Sequence, residues 1–220
     1  MKLHMIGLIS AFLLLTIMNG QEVSKHDQKR DKVIFDVHYT SLYEAPEGFK
    51  DEPYKSVGYS FNWFKSIPFN PSISLGIGIG YSIHKVHSNF VFSDQYETGY
   101  LETRLLQQFG EKNKWVTEYI ELPIELRFHT PMKNKFHWYM GVRPGYSYNQ
   151  FRKYKTKESK LKQYQNTNFS PFKIEPTLRF GYGKINLIAS ANLLPVFKND
   201  ALKDVRTFSI GLCYMSGFER

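Results

Sequence analysis

The sequence predicts an all-β chain that closes into an eight-stranded, antiparallel, up-and-down transmembrane β-barrel behind an N-terminal signal peptide. Three observations lead there. Apolar and polar residues alternate with period two in eight segments, short and long connections alternate between them, and the chain opens on a brief apolar run. No segment of comparable length carries a helical period.

In the opening run, Lys2 and His4 precede IGLISAFLLLTI, which is short for a bilayer span and ends at Asn19 and Gly20. This is the pattern of a secretory signal cut after Gly20, so residues 1–20 are expected to be removed and residues 21–220 to form the barrel. A single membrane anchor is the alternative reading. No Cys lies near the cut, which excludes a lipoprotein anchor. Of the 29 basic residues only Lys2 is in the first twenty, so 28 basic residues remain against 20 acidic ones. The lone cysteine, Cys213, excludes a disulfide scaffold and a multi-cysteine metal site, and neither metal nor cofactor is expected. No later segment reaches eighteen consecutive apolar residues, so a mature chain in a membrane has to cross as strands.

The first strand is KVIFDVHYT from Lys32, with Val33, Phe35, Val37 and Tyr39 opposite Asp36, His38 and Thr40; the second is SVGYSFNWF from Ser56. In the third, PSISLGIGIGYSI, Ile73 to Ile83 form one face and Ser72 to Ser82, with Gly76, Gly78 and Gly80, the other. The fourth, VTEYIELPIELRF from Val116, sets Ile120, Leu122, Ile124 and Leu126 against Glu121, Glu125 and Arg127. The fifth runs from Phe136 to Tyr148, the sixth from Phe172 to Tyr182, the seventh from Lys184 to Leu194 with weaker alternation, and the eighth carries Phe208, Ile210, Leu212 and Tyr214 on one side. SIPFNPS, TPMKNK and GYGK are short connections; those after the first, third, fifth and seventh strands are long. Short turns then face the periplasm, with both termini, and long loops face outward.

Alternation alone does not say which face looks inward. A soluble lipocalin-like ligand binder would keep the apolar face inside and a charged face in water. Here the polar face is rich in Gly and Ser with isolated charges of both signs, which suits a narrow filled lumen. The aromatics gather at strand ends: Trp63, Phe128, Phe136, Trp138, Phe180 and Tyr214 toward the short turns, and Tyr39, Tyr59, Tyr146, Tyr148, Phe172 and Phe208 toward the long loops. Two such girdles are what bilayer interfaces select.

YIELPIELRF at Tyr119 to Phe128, FHWYMGVRPGYSY at Phe136 to Tyr148, LRFGYGKINLIASANLLPVFKND from Leu178 and RTFSIGLCYM from Arg206 together resemble the PorT-like outer-membrane β-barrel family of Bacteroidota. The resemblance covers the mature chain in order and spacing. It implies an outer-membrane barrel and, for some relatives, association with type IX protein secretion.

Chemistry has few candidates. Glu121, Glu125, Arg127, Arg143, Glu175 and Arg179 form an expected lumen charge network, with Glu121 placed roughly opposite Arg143 by folding about TPMKNK. Structurally it is a plug that fills a closed barrel; functionally it is a proton or solute path. The small residues of the third strand are expected to make room for Arg143 or Arg179. An outer-membrane enzyme, a lipid A deacylase or a protease, would need nucleophile, His and carboxylate to converge at the outer rim. His84, His87, Ser88, Asp94 and Glu97 are the candidates, but no recognisable spacing ties them together, and no catalysis is expected. The GIGIG run is not a phosphate loop, because no helix follows it. A basic outer loop is expected from Arg152 through Lys153, Lys155, Lys157 and Lys160 to Lys162, with one acid, Glu158. At the outer surface its nearest anion is lipopolysaccharide phosphate rather than nucleic acid, while the first loop is acidic at Glu44, Glu47, Asp51 and Glu52. The expected role is structural or partner-binding through the long loops, with outer-membrane lipid, lipopolysaccharide and secretion proteins as partners.

Overall fold

The computed structural model describes residues 32–45, 47–70, 72–94, 101–105, 112–129, 136–155, 160–164, 169–198 and 204–216. The expected signal peptide and the TPMKNK turn lie outside them, as do Glu97 and Lys157.

A strand with one apolar face needs lipid or a core against that face and a hydrogen-bonded neighbour on each edge. A closed ring meets both needs. β1 (Lys32–Tyr43), β2 (Val57–Asn70) and β3 (Ile73–His87) are consecutive antiparallel strands. β4 (Phe90–Asp94) and β5 (Leu101–Leu105) form a separate hairpin. β6 (Lys112–Glu121) and β7 (Ile124–His129) pair with the outer and inner halves of β3 and act as one stave. The break falls at Leu122 and Pro123, where Leu122 N donates to Pro144 O at 3.0 Å and Gly78 N donates to Pro123 O at 2.9 Å, so the ladder passes the proline. β8 (Phe136–Lys155) pairs with both halves on one edge, and on the other with β9 (Lys160–Tyr164) and β10 (Phe172–Tyr182). β11 (Ile185–Ala191) and β12 (Arg206–Met215) complete the ring, and β12 returns to β1.

Every stave turns its apolar face outward. Phe61, Ile79, Ile120 and Leu212 are each at least half exposed, whereas Asp36, Glu121, Glu125 and Arg127 are buried inside. This orientation overturns the soluble lipocalin-like alternative, which requires the reverse. Eleven of the twelve girdle aromatics are at least partly exposed; Phe128 is the exception, covered by Trp138 with ring centroids 4.0 Å apart. The turn between β10 and β11, on the short-connection side, is tight. β10 and β11 are joined by Gly183 and Lys184 alone, and Gly183 has φ 62°, a left-handed conformation that glycine adopts without strain.

SIPFNPS, expected as a connection, is strand as far as Asn70, and the long connection after the third strand contains the β4–β5 hairpin. Two further departures shape the outer end. The seventh strand ends at Ala191, because the Asn192 side chain accepts from Ile174 N at 3.1 Å and Leu194 N at 3.2 Å and turns the chain into the mouth of the barrel. The expected basic loop is largely strand: β8 continues through Arg152, Lys153 and Lys155, and β9 pairs with it through Lys160 and Lys162. Outside the bilayer a pleated blade needs no apolar face, so backbone pairing extends past the point where hydrophobic alternation fades.

Candidate functional site

The lumen is layered along its axis. At the periplasmic end Ile34, Phe64, Tyr139, Ile188, Cys213 and Met215 form one buried apolar cluster. At the outer end Leu42, Val86, Trp115, Phe169, Val196, Phe197 and Val205 form another, with Ala45 and Phe49 of the first loop packed against it. Between them lie the charges.

Asp36 on β1 accepts from Arg143 Nη2 at 2.8 Å and Ser60 Oγ at 2.5 Å, with Arg179 Nη2 at 3.7 Å. Arg179 Nη1 donates to Glu125 Oε1 at 2.8 Å. Arg127 donates to Glu125 Oε2 through Nε at 3.3 Å and Nη2 at 3.2 Å, and to Ser66 Oγ through Nη1 at 2.7 Å. Nearer the mouth, Lys173 Nζ lies 2.8 Å from both Glu121 Oε2 and Glu175 Oε2. Ser82 and Ser190 donate to Glu121 and Glu175 at 3.1 and 2.9 Å. Four carboxylates (Asp36, Glu121, Glu125, Glu175) thus face four cations (Arg127, Arg143, Lys173, Arg179), all eight buried, and Lys32 on β1 is buried as well, its Nζ 3.5 Å from Tyr139 Oη. Removing ions from water is costly, and charges held this deep persist only when each has a counter-ion and hydrogen bonds. Arg127 also lies over the Phe64 ring, 4.5 Å from its centroid.

The structure brings all six sequence-proposed lumen residues into this network, but not in the expected register. The pair His129↔His137 sets Glu121 opposite Gly145 and leaves Arg143 opposite Glu175 across β10, although Arg143 Nη1 still comes within 3.9 Å of Glu121 Oε1. The small residues of β3 make room for different groups than expected. A Cβ at Gly76 would lie 2.6 Å from the Arg127 guanidinium carbon, and one at Gly80 would lie 2.0 Å from Asn62 Oδ1 and 3.0 Å from Glu121 Cγ; neither Arg143 nor Arg179 is among the nearest groups at either position. Asp36 and Lys173 were missed, although both stand in the polar phase of clearly alternating strands, which was the signal available.

Among the described residues, the rim candidates for catalysis are tied into the fold separately. His84 points into the lumen, with Nε2 3.2 Å from Lys173 Nζ and its ring 5.1 Å from that of His38. His87 and Ser88 are buried; backbone groups of His87 exchange hydrogen bonds with Ser56 Oγ, and Asn113 Nδ2 donates to the Ser88 carbonyl at 2.6 Å. Asp94 sits on β4. Among the described residues, no cluster of His, Cys, Asp or Glu has the spacing of a metal site.

Of the basic segment, Lys153 and Lys155 share one face of β8, whereas Arg152 stands on the other, opposite Trp115, and is buried. Arg152 therefore does not belong to the basic outer surface, because a period-two strand sends adjacent residues to opposite sides.

No curated protein matches the chain in sequence. Among solved structures, the chain is similar to Ail, the attachment invasion locus protein of Yersinia pestis, at a TM-score of 0.40 and 12% identity over 86% of this chain and 99% of that one. Ail in complex with the heparin analogue sucrose octasulfate is similar at a TM-score of 0.38 and 11% identity, over 84% and 97%. Neither likeness bears on what this chain binds. The model of the family described as outer membrane protein beta-barrel domain matches residues 31–198, from the start of β1 to the segment that plugs the mouth. With apolar staves facing lipid around a charge-filled lumen, this chain is an outer-membrane β-barrel and belongs to that family.

Proposed function

We propose that the protein is a non-catalytic, non-conducting outer-membrane barrel that acts by binding partners at its outer end. The observation that supports this most is the filled lumen: a network of eight buried, paired charges lies between two apolar clusters, and Phe49 of the first loop packs on the outer one. A solute path needs continuous wetted space, and an active site needs convergent groups open to substrate. The outer end instead carries built structure. Asn89 Oδ1 accepts from Lys50 N at 2.8 Å and its Nδ2 donates to Gly48 O at 3.0 Å, tying the first loop to the end of β3. Such a platform suits contact with other molecules.

Two partner classes complete the reading. Lipopolysaccharide phosphate is the anion nearest the basic outer blade. Assistance to type IX protein secretion is supported by the resemblance to the PorT-like family. Planar-bilayer recordings of the refolded barrel are expected to show no steady conductance, and open-channel steps would overturn the closed reading. Crosslinking in native membranes is expected to capture secretion components. Normal export of secreted cargo after deletion of the gene would remove that role and leave the barrel assignment intact.

A further inference from the structure

On the lipid side of the wall, β11 and the residues that follow it present Ile185, Leu187, Ala189, Ala191 and Leu193 in one phase. Ile185 and the two leucines are each more than half exposed, and between them stand two methyl groups. Register sets this dip among larger side chains: Met140 pairs with Leu178, Leu178 with Ala189 and Ala189 with Ile210, while Ala191 pairs with Phe208. Residues paired across strands share a face, so these six, with Pro176, line a hollow of about 680 Å³ that opens onto the bilayer.

Protein packing does not account for it. Small residues that face the lumen make room for other side chains, as Gly76 does for Arg127. Ala189 and Ala191 face away from the lumen, and alanine is a poor strand residue that a uniform lipid-facing wall gives no reason to prefer. The hollow is also dry. Pro176 stands four residues from Phe172 of the outer girdle and four from Phe180 of the inner one, at the depth of the hydrocarbon. The hydroxyls along its floor turn to the lumen, Ser190 Oγ donating to Glu175 Oε1 at 2.9 Å and Ser209 Oγ lying 3.0 Å from Thr40 Oγ1. Its occupant is therefore apolar.

A second copy does not fit this space. Copies related by a two-fold axis along the membrane normal would set hollow against hollow and enlarge the void. An acyl chain does fit, because it bends to the shape of the wall and restores the dispersion contacts that an empty space forfeits. The hollow is continuous with the lipid-facing surface of the barrel, so acyl chains already lie against its rim. It also leans toward one leaflet. On β11 and β12 it takes in the residues nearer the long loops, up to Phe208 of the outer girdle, and stops short of Leu187 and Tyr214. From this geometry we infer that the hollow on β8, β10, β11 and β12 is a lipid site that holds an acyl chain of outer-leaflet lipopolysaccharide. The inference goes beyond the partner-binding reading, which concerns the outer end, and does not depend on it.

The test uses the full chain in its native membrane. Cells producing it are fed a long-chain fatty acid with a diazirine near the methyl end and irradiated, and lipid adducts on the barrel are mapped by mass spectrometry. Phe61 and Ile79, outward and half exposed on β2 and β3 across the ring, serve as the reference wall. A chain held on several sides keeps contacts that a chain on a convex wall lacks, so adducts at Ala189 and Ala191 are expected to be at least about threefold more frequent than at the reference residues. Their mass is expected to be that of lipopolysaccharide. Ala189→Leu/Ala191→Leu, with folding checked by heat-modifiable migration, fills the hollow and is expected to lose the excess. Equal labelling around the wild-type wall would overturn the inference whether or not the variant folds, as would an undiminished excess in the folded variant. Adducts of phospholipid mass at the hollow would refute the outer-leaflet source. Rapid disulfide formation between copies of Ala189→Cys would put a second chain there and also refute it. Conductance and protein crosslinks at the outer end are separate readouts, so failure here would leave the closed barrel standing.

Discussion

Asp36→Asn removes the carboxylate that joins β1 to the far side of the barrel. In the native lumen Asp36 Oδ2 takes hydrogen bonds from Arg143 at 2.8 Å and Ser60 at 2.5 Å, with Arg179 3.7 Å away. Breaking a buried ion pair from one side costs about 3–5 kcal/mol, because the other charge is left desolvated. Arg143 retains Glu121 at 3.9 Å, which puts the expected loss near the lower limit, about 3 kcal/mol. Arg143→Met should cost a similar amount, since Asp36 keeps Ser60 and the more distant Arg179. The double variant removes both charges together and should cost clearly less than the sum, with a coupling of at least about 2 kcal/mol. Guanidinium unfolding in lipid vesicles measures each variant, followed by tryptophan fluorescence and by heat-modifiable migration. Additive single losses, or a loss below about 0.5 kcal/mol for Asp36→Asn, would refute the view that this pair is a desolvated contact.

Gly78→Leu should prevent folding, because even a Cβ at that position would lie 2.3 Å from the Trp63 carbonyl oxygen and 3.0 Å from the Phe64 ring; a heat-modifiable folded band for that variant would contradict the inward assignment. Gly183→Ala meets no atom within 4 Å and should cost only the left-handed backbone strain, about 1 kcal/mol, leaving a folded barrel in the same unfolding assay. Cys213 is 2% exposed within the periplasmic cluster, so a water-soluble maleimide should label it only after heat denaturation; rapid labelling of the folded protein would show an open inner end. Trp115→Ala should cost about 3–5 kcal/mol in the outer plug without opening a conducting path, because the charged layer still fills the lumen; channel steps in that variant would place the seal at the mouth alone.

The wall was legible in the sequence because a bilayer imposes one rule on every stave. From Val33 to Tyr214 the apolar phase marks the lipid side, and the polar phase, Asp36 and Lys173 included, marks the lumen. What period two does not encode is height. Whether Arg143 meets Glu121, Glu175 or Asp36 depends on register and on the reach of a long side chain across the axis, and on β1 and β8 the partners are 107 residues apart. The mouth was illegible for another reason. Trp115 sits in a strand, but Phe169, Val196, Phe197 and Val205 lie in irregular segments, where no periodicity signals that a residue is buried. The basic blade was hidden by its composition: strands without an apolar face read as loops, and only backbone pairing reveals them.

The sealing of the ring has a consequence for assembly. β1 and β12 meet along ten paired positions, from Ile34↔Met215 to Tyr43↔Arg206, and this seam joins the two ends of the chain. β1 brings two buried charges of opposite sign, Lys32 and Asp36, and Asp36 reaches Arg143 on β8 and Arg179 on β10 across the axis. A nascent sheet that lacks its first strand leaves Arg143 without its 2.8 Å carboxylate partner. Zipping the seam supplies that counter-ion at the moment it excludes water, so the last step of insertion is rewarded and a half-closed intermediate is penalised. The Asp36 contact therefore serves as an electrostatic latch, and a barrel once shut resists reopening sideways into the membrane.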